Sequence, residues 1–183
     1  LSNGEDCWRR NEIHQSNAEN NLNVSGTTPA LKLLAEKVDA VGARVIVPRI
    51  LSAYHSRAME KGLAAMWPMA AGKQLPDVLP VEMFSNYDGS RINDLVGKVK
   101  VIAADGKQYE IDAKIHRILT DLFTNTVNWN TNLAQALSWI DPNKALLVIE
   151  ANAAATATGW AARTLKTSDG KKLATLISYG KAE

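Results

Sequence analysis

Few residues in this sequence have the chemistry to move protons, attack carbonyls or hold a metal, and their spacing removes most options at once. The three histidines, His14, His55 and His116, lie far apart, and no Cys/His pair has metal-ligand spacing. No glycine-rich phosphate loop of the P-loop or dinucleotide type occurs, and no Gly-x-Ser-x-Gly nucleophile elbow. His55 stands out by its setting, Ser52-Ala53-Tyr54-His55-Ser56, after the apolar Ile50-Leu51 and before a helical pattern. A histidine at a strand-to-helix junction can project from a sheet end into a cleft, where an imidazole suits general base chemistry near neutral pH. The plainer alternative is a partly buried histidine with one satisfied hydrogen bond. His14 and His116 read as surface or helix-face residues. Asn17, Asn20, Asn21 and Asn23 read as loop and turn formers. Cys7 has Arg9 and Arg10 close by to favour a thiolate, but it lacks a glycine-framed elbow and reads as a plain free thiol.

The elements that would carry these residues follow from hydrophobic period and turn chemistry. Residues 1–21 are polar and Asn-rich with no sustained period. Asn21-Leu22-Asn23-Val24-Ser25 alternates like a half-buried strand. Thr28 then predicts an N-cap with Pro29 at the first helical position, and Leu31, Leu34, Val38 and Val41 form one helical face. Arg44 to Pro48 reads as a strand, completing a βαβ-type unit. A second helix is predicted over Ser56–Met66, then a Pro/Gly-punctuated loop from Pro68 to Pro80 and a short strand over Val81–Phe84. Lys98–Ala103 and Lys107–Ile111 flank Ala104-Asp105-Gly106, a hairpin signal because Asp-Gly tolerates positive φ. Ile115, Ile118, Leu119, Leu122 and Phe123 predict one helix, and Leu133, Ala136 and Leu137 another. Ala145–Ile149 reads as a buried central strand, Ala153–Leu165 as a helix and Leu173–Tyr179 as a last strand. The class is α/β or α+β.

Composition bounds the partners. The 183 residues are 46% apolar and 22% charged, which suits one core-bearing domain or a domain with a small satellite. A formal charge of +2 makes no electrostatic case for nucleic acid or an anionic membrane. A single cysteine excludes an internal disulfide, and no apolar run reaches transmembrane length. The opening Leu-Ser-Asn-Gly-Glu-Asp has neither an initiator Met nor signal-peptide regions, which predicts a piece of a larger, cytoplasmic protein.

From His55 outward the sequence resembles the malonyl/acyl-CoA:acyl carrier protein transacylases, including acyltransferase domains of polyketide and fatty acid synthases. Asn17 followed by Leu22-Asn23-Val24-Ser25-Gly26 is similar to that family's Asn-Ser-Pro segment and the strand ending in Ser-Gly or Ala-Gly. Val47-Pro48 through Tyr54-His55-Ser56, with Met59, resembles the segment bearing the catalytic histidine. Phe84-Ser85-Asn86-Tyr87-Asp88-Gly89 is similar to the Ser-Asn-x-x-Gly that follows a strand, and Leu119 to Trp129 resembles the helix and Pro-Val-x-Trp. Leu147–Glu150 and Thr158-Gly159 resemble the late strand and the helix after its turn. Three departures stand out. Asn152-Ala153 replaces a Gly-Pro, Asp121 or Leu122 stands where the family has Gln, and the 98–111 hairpin looks like an added element.

The resemblance implies a hydrolase-like α/β core (its C-terminal portion, 50–183) with part of a ferredoxin-like α+β subdomain (1–49). It implies malonyl-type transfer from CoA to the phosphopantetheine thiol of an acyl carrier protein through a serine acyl-enzyme. His55 would be the base, oriented by a backbone carbonyl from the 120–126 loop. Ser52, Ala53, Tyr54 and Asn17 would bind substrate. An aromatic before the histidine is associated in that family with malonyl selection, so Tyr54 favours an unbranched unit, with plain core packing as its alternative role, while Ser52 departs from the commoner His. The family's Gly-His-Ser-x-Gly and its carboxylate-clamping arginine precede the matching region, and neither motif occurs in these residues. The implied partners are therefore the remaining N-terminal part of the acyltransferase or synthase and the carrier protein, with no nucleic acid, membrane span, metal or resident cofactor. An acyl hydrolase on the same fold, and a non-catalytic docking or scaffold fragment, are the other readings.

Overall fold

The computed structural model describes residues 12–18, 21–45, 54–141, 146–150 and 174–178. The first strand, β1 (Glu12–Ala18), pairs antiparallel with β2 (Asn21–Ser25) and parallel with the two-residue β5 (Val127–Asn128), giving the order β2-β1-β5. β1 is legible in no periodicity, since Glu-Ile-His-Gln-Ser-Asn-Ala holds a single large aliphatic residue. Partners on both edges supply what its own propensity lacks. Helix α1 (Thr28–Asp39) is capped by Thr27, whose hydroxyl accepts from Ala30 N at 3.4 Å, one residue earlier than expected. The shift is harmless because Pro29 still falls in the first turn, where a missing N–H leaves no bond unmade. The strand expected from Arg44 begins as irregular chain at 44–45, and its remainder lies outside the described residues.

The second helix begins later and ends later than Ser56–Met66. A 3₁₀ turn spans Arg57–Met59, and α2 (Glu60–Ala70) then runs through Pro68. Proline inside a helix leaves the carbonyl four residues back without its donor. Here that carbonyl, Ala64 O, is taken by Ala104 N at 3.1 Å from the turn of the following hairpin. The break expected at Pro68 is thus prevented by a tertiary bond that no local reading contains. Val81–Phe84 is not a strand either, since only an isolated bridge joins Phe84 to Arg91.

β3 (Lys98–Ile102) and β4 (Gln108–Asp112) form the predicted hairpin. Gly106 takes φ +77°, and the Asp105 carboxylate accepts from Lys107 N at 3.0 Å, so both residues of the Asp-Gly signal have a visible role. The hairpin is no appendage. Ala103 and the wholly buried Ile111 join Leu63, Trp67 and Ala70 of α2 to make the core. Ile115, Leu119 and Phe123 of α3 (Ala113–Phe123) pack against the same cluster.

Asp112 caps α3, its carboxylate accepting from Lys114 N and Ile115 N at 3.0 Å each. His116 lies on the face toward α2, its ring stacked on Trp67 with centroids 5.3 Å apart. Burial, and after it the adjacent Arg117, depresses the His116 pKa below 6.5, with Asp121 partly offsetting them. The unfolded chain therefore binds more protons as pH falls through 6.5, and stability drops in that window. In urea unfolding at pH 7.5 and 5.5, the wild type is expected to lose more stability on acidification than His116→Phe, which keeps the stack and cannot titrate.

The last described elements are α4 (Trp129–Ser138), capped by the Asn128 side chain, and a parallel pair, β6 (Leu146–Glu150) with β7 (Ala174–Ser178). Parallel strands need a crossover between them. The helix expected over Ala153–Leu165 falls in that connection and lies outside the described residues. The architecture is mixed α/β, with helices, an antiparallel hairpin and parallel strand pairing.

Candidate functional site

The C-terminus of α3 builds the site. The last carbonyls of any helix lack intrahelical donors and carry partial negative charge. In α3 one of them is freed further. Asn125 N, the donor that would close on Asp121 O, bonds instead to Thr120 O at 2.9 Å. Asp121 O faces the imidazole of His55, with Nδ1 at 2.8 Å, and Phe123 O accepts from Ser56 N at 3.3 Å. Two successive residues, His55 and the fully buried Ser56, are thereby clipped to one helix end. A carbonyl can only accept, so Nδ1 carries a proton, and in the neutral ring Nε2 is left with the lone pair. Among the described non-glycine residues His55 alone has positive φ, at +62°. A left-handed backbone at a residue with a Cβ costs of order 1–3 kcal/mol and persists where the surroundings dictate it. At His55 the strain aims the ring at the helix end.

A second layer fixes that helix end. Ser85, wholly buried, accepts through Oγ from Arg117 Nη2 at 2.6 Å, Arg117 Nε at 3.1 Å and Tyr87 N at 3.1 Å. Arg117 also pairs with Asp88 at 2.6 Å and with Asp121, one turn along α3, at 3.2 Å. Burial opposes ionisation of Asp88. Hydrogen bonds from the Ser90 side chain and backbone, and the Arg117 guanidinium, outweigh it and hold the carboxyl well below the usual carboxylate range. Asn125 Nδ2 donates to the buried Asp121 carboxylate at 2.8 Å.

The 85–89 turn is tied to α4 as well. Asn132 Nδ2 donates to Ser85 O and to Asn86 Oδ1, and Asn128 N donates to Asn86 O at 2.7 Å. Gly89 has φ +72°, and a Cβ there would meet Gln135 Cγ at 2.6 Å and Thr131 O at 3.1 Å. The glycine of the Ser-Asn-x-x-Gly stretch is therefore required by both backbone and space. Gly89→Ala is expected to cost about 2–4 kcal/mol from left-handed strain and overpacking. Chemical denaturation would read this as a lower midpoint, and an unchanged midpoint would mean that the turn lifts off α4 freely.

The sequence-predicted site residues fare unequally. Tyr54 packs its ring beside Phe123, centroids 5.9 Å apart, and stays 44% exposed next to His55. Asn17 is in β1, at a register shift between Ser16 and Ala18, directly beyond the parallel pairing of Ser16 with Asn128. Such bulges re-aim a strand locally. Ser52, Ala53 and Cys7 lie outside the described residues, while His14 falls within β1 and His116 on the α2-facing side of α3. Arg117 is not singled out by the sequence, and Ser85 and Asp121 enter it only as motif positions with no role for their side chains. The available signal was a charged pair four residues apart on an amphipathic helix, which usually marks a solvated face.

No protein-family model, no curated protein sequence and no solved structure matches the chain. Among the described residues no group of three or more His, Cys, Asp or Glu side chains is placed to hold a metal ion, and no helix is long and apolar enough to cross a membrane.

Proposed function

We propose that this chain is the histidine-bearing, C-terminal part of an acyltransferase that moves a malonyl-type unit from CoA to the phosphopantetheine thiol of an acyl carrier protein. The observation that carries the reading is the strained His55, its Nδ1–H given to the Asp121 carbonyl at 2.8 Å and its Nε2 left as the proton acceptor. In this reading residues 1–49 complete a small ferredoxin-like subdomain, 50–183 belong to a hydrolase-like core, and the serine comes from a segment outside these residues.

A serine hydroxyl is a weak nucleophile at neutral pH and needs a base beside it. His55 Nε2 takes the hydroxyl proton as Oγ attacks the thioester carbon. It returns that proton to the CoA sulfur as the C–S bond breaks, leaving an acyl-serine ester. The carrier thiol then enters, gives its proton to Nε2 and attacks the ester carbon, and the imidazolium hands the proton back to Oγ. Throughout, the Asp121 carbonyl holds the ring in one tautomer and shares the charge formed on it. No carboxylate partner is needed for this. Tyr54, buttressed by Phe123, walls the acyl pocket, and an aromatic ring there crowds an α-methyl branch; one methyl is worth about 1–3 kcal/mol in such a pocket.

Incubating the parent polypeptide or complex with radiolabelled malonyl-CoA and a phosphopantetheinylated carrier protein tests the reading. Label on the carrier is expected. Free labelled malonate without carrier label would favour the hydrolase, and intact malonyl-CoA with carrier bound would favour the docking fragment.

A further inference from the structure

We propose that Arg117 is a positioning residue for His55, acting through Asp121, whose side chain it grips and whose carbonyl orients the imidazole. The catalytic meaning of this rests on the acyltransferase reading above; the positioning itself does not. Asp121 lies in the final turn of α3, the part of a helix most prone to fray. Its carbonyl is released from the helix, because Asn125 N bonds to Thr120 O. A carbonyl without that intrahelical bond holds a fixed direction only if something else holds its residue.

The side chain supplies that hold. The Asp121 carboxylate is 5% exposed and receives Arg117 Nε on one side and Asn125 Nδ2 on the other. Arg117 is itself immobilised by the buried Ser85 hydroxyl and the Asp88 carboxylate, with the Tyr87 ring 5.8 Å from its guanidinium carbon. An ordinary i, i+4 pair on a helix surface adds little and needs no such anchoring. Here the fork joins the 85–88 turn to the residue under the imidazole. Its geometry is that of an orienting second layer around a catalytic group, where a misplacement of about 1 Å costs on the order of 10²-fold in rate.

The test reads the His55 ring directly, by ¹⁵N NMR of the histidine-labelled parent polypeptide with the resonance assigned by its loss in His55→Gln. Wild-type His55 is expected in the Nδ1–H tautomer. Arg117→Met is expected to move it to a mixture with the Nε2–H form and, where transfer is measured, to lower kcat about 10²-fold with KM little changed. Arg117→Lys, which keeps the charge and loses the fork, should recover part of both. Should Arg117→Met not fold, Asp121→Asn, which leaves the backbone intact and weakens the ion pair, decides by the same reading. A folded Arg117→Met or Asp121→Asn with His55 wholly in the wild-type tautomer overturns the proposal. A tautomer shift in a protein that transfers no acyl group would keep the positioning role and remove the acyltransferase reading instead.

Discussion

His55→Ala is expected to slow acyl transfer by about 10²–10⁴-fold, the usual worth of a positioned general base, while leaving the protein folded. The loss should appear in both half-reactions, since in the proposed mechanism the same Nε2 serves acylation by CoA and deacylation by the carrier thiol. A companion variant separates catalysis from stability. His55 has φ +62°, a conformation that glycine adopts without strain and alanine does not. His55→Gly is therefore expected to be more stable than His55→Ala by about 1 kcal/mol, and equally inactive. Thermal melts and steady-state rates of the two variants check this together. A fully active His55→Gly would mean that the backbone turn, and not the imidazole, is what the fold maintains at this position.

Ile111→Ala is expected to produce the largest loss of stability, about 2–5 kcal/mol, because a wholly buried aliphatic side chain leaves a cavity when truncated. Ile111 sits on β4 in the cluster shared with α2 and α3, and α3 carries the carbonyl on which His55 rests. Ile111→Val, which removes one methylene, should cost about 0.5–1.5 kcal/mol. Denaturant midpoints for the pair measure the difference. Loss of under 1 kcal/mol in the alanine variant would mean that the hairpin is packed only peripherally, as an inserted ornament would be.

The hairpin shows what a sequence can carry. The Asp105-Gly106 turn is local chemistry and was legible to the residue. The amphipathic face of α3 belongs to the same kind of signal, while its Asp112 cap is seen only in the structure. What the hairpin packs against is not local. Nothing in the text of the chain says that Ala104 N will take the carbonyl freed by Pro68, so the helix was expected to stop where it continues. β1 was invisible for a related reason, being held by neighbours on both edges and not by its own composition.

The site divides along the same line. His55 could be picked out by its setting, and the 120–126 segment was expected to supply a carbonyl. The structure has Asp121 O in that place, and of Asp121 and Leu122, the two positions set against the transacylases' Gln, it is the Asp121 carbonyl that faces the ring. Arg117, and a side-chain role for Ser85, are not legible because an i, i+4 charge pair and a turn serine are common on solvated surfaces. Only the burial of Ser85 and Asp121, and the bonds that the half-buried Arg117 makes to both, distinguish them.

The imidazole of His55 is held by a helix end; the proposal that it activates a hydroxyl from another segment is tested most directly by acid-quenched mass spectrometry of the parent protein mixed with malonyl-CoA. The account predicts a malonyl ester on a serine outside residues 1–183, formed within the burst of the first turnover and formed far more slowly in His55→Ala. An ester that forms equally fast without the imidazole, or none at all in the wild type, would contradict it.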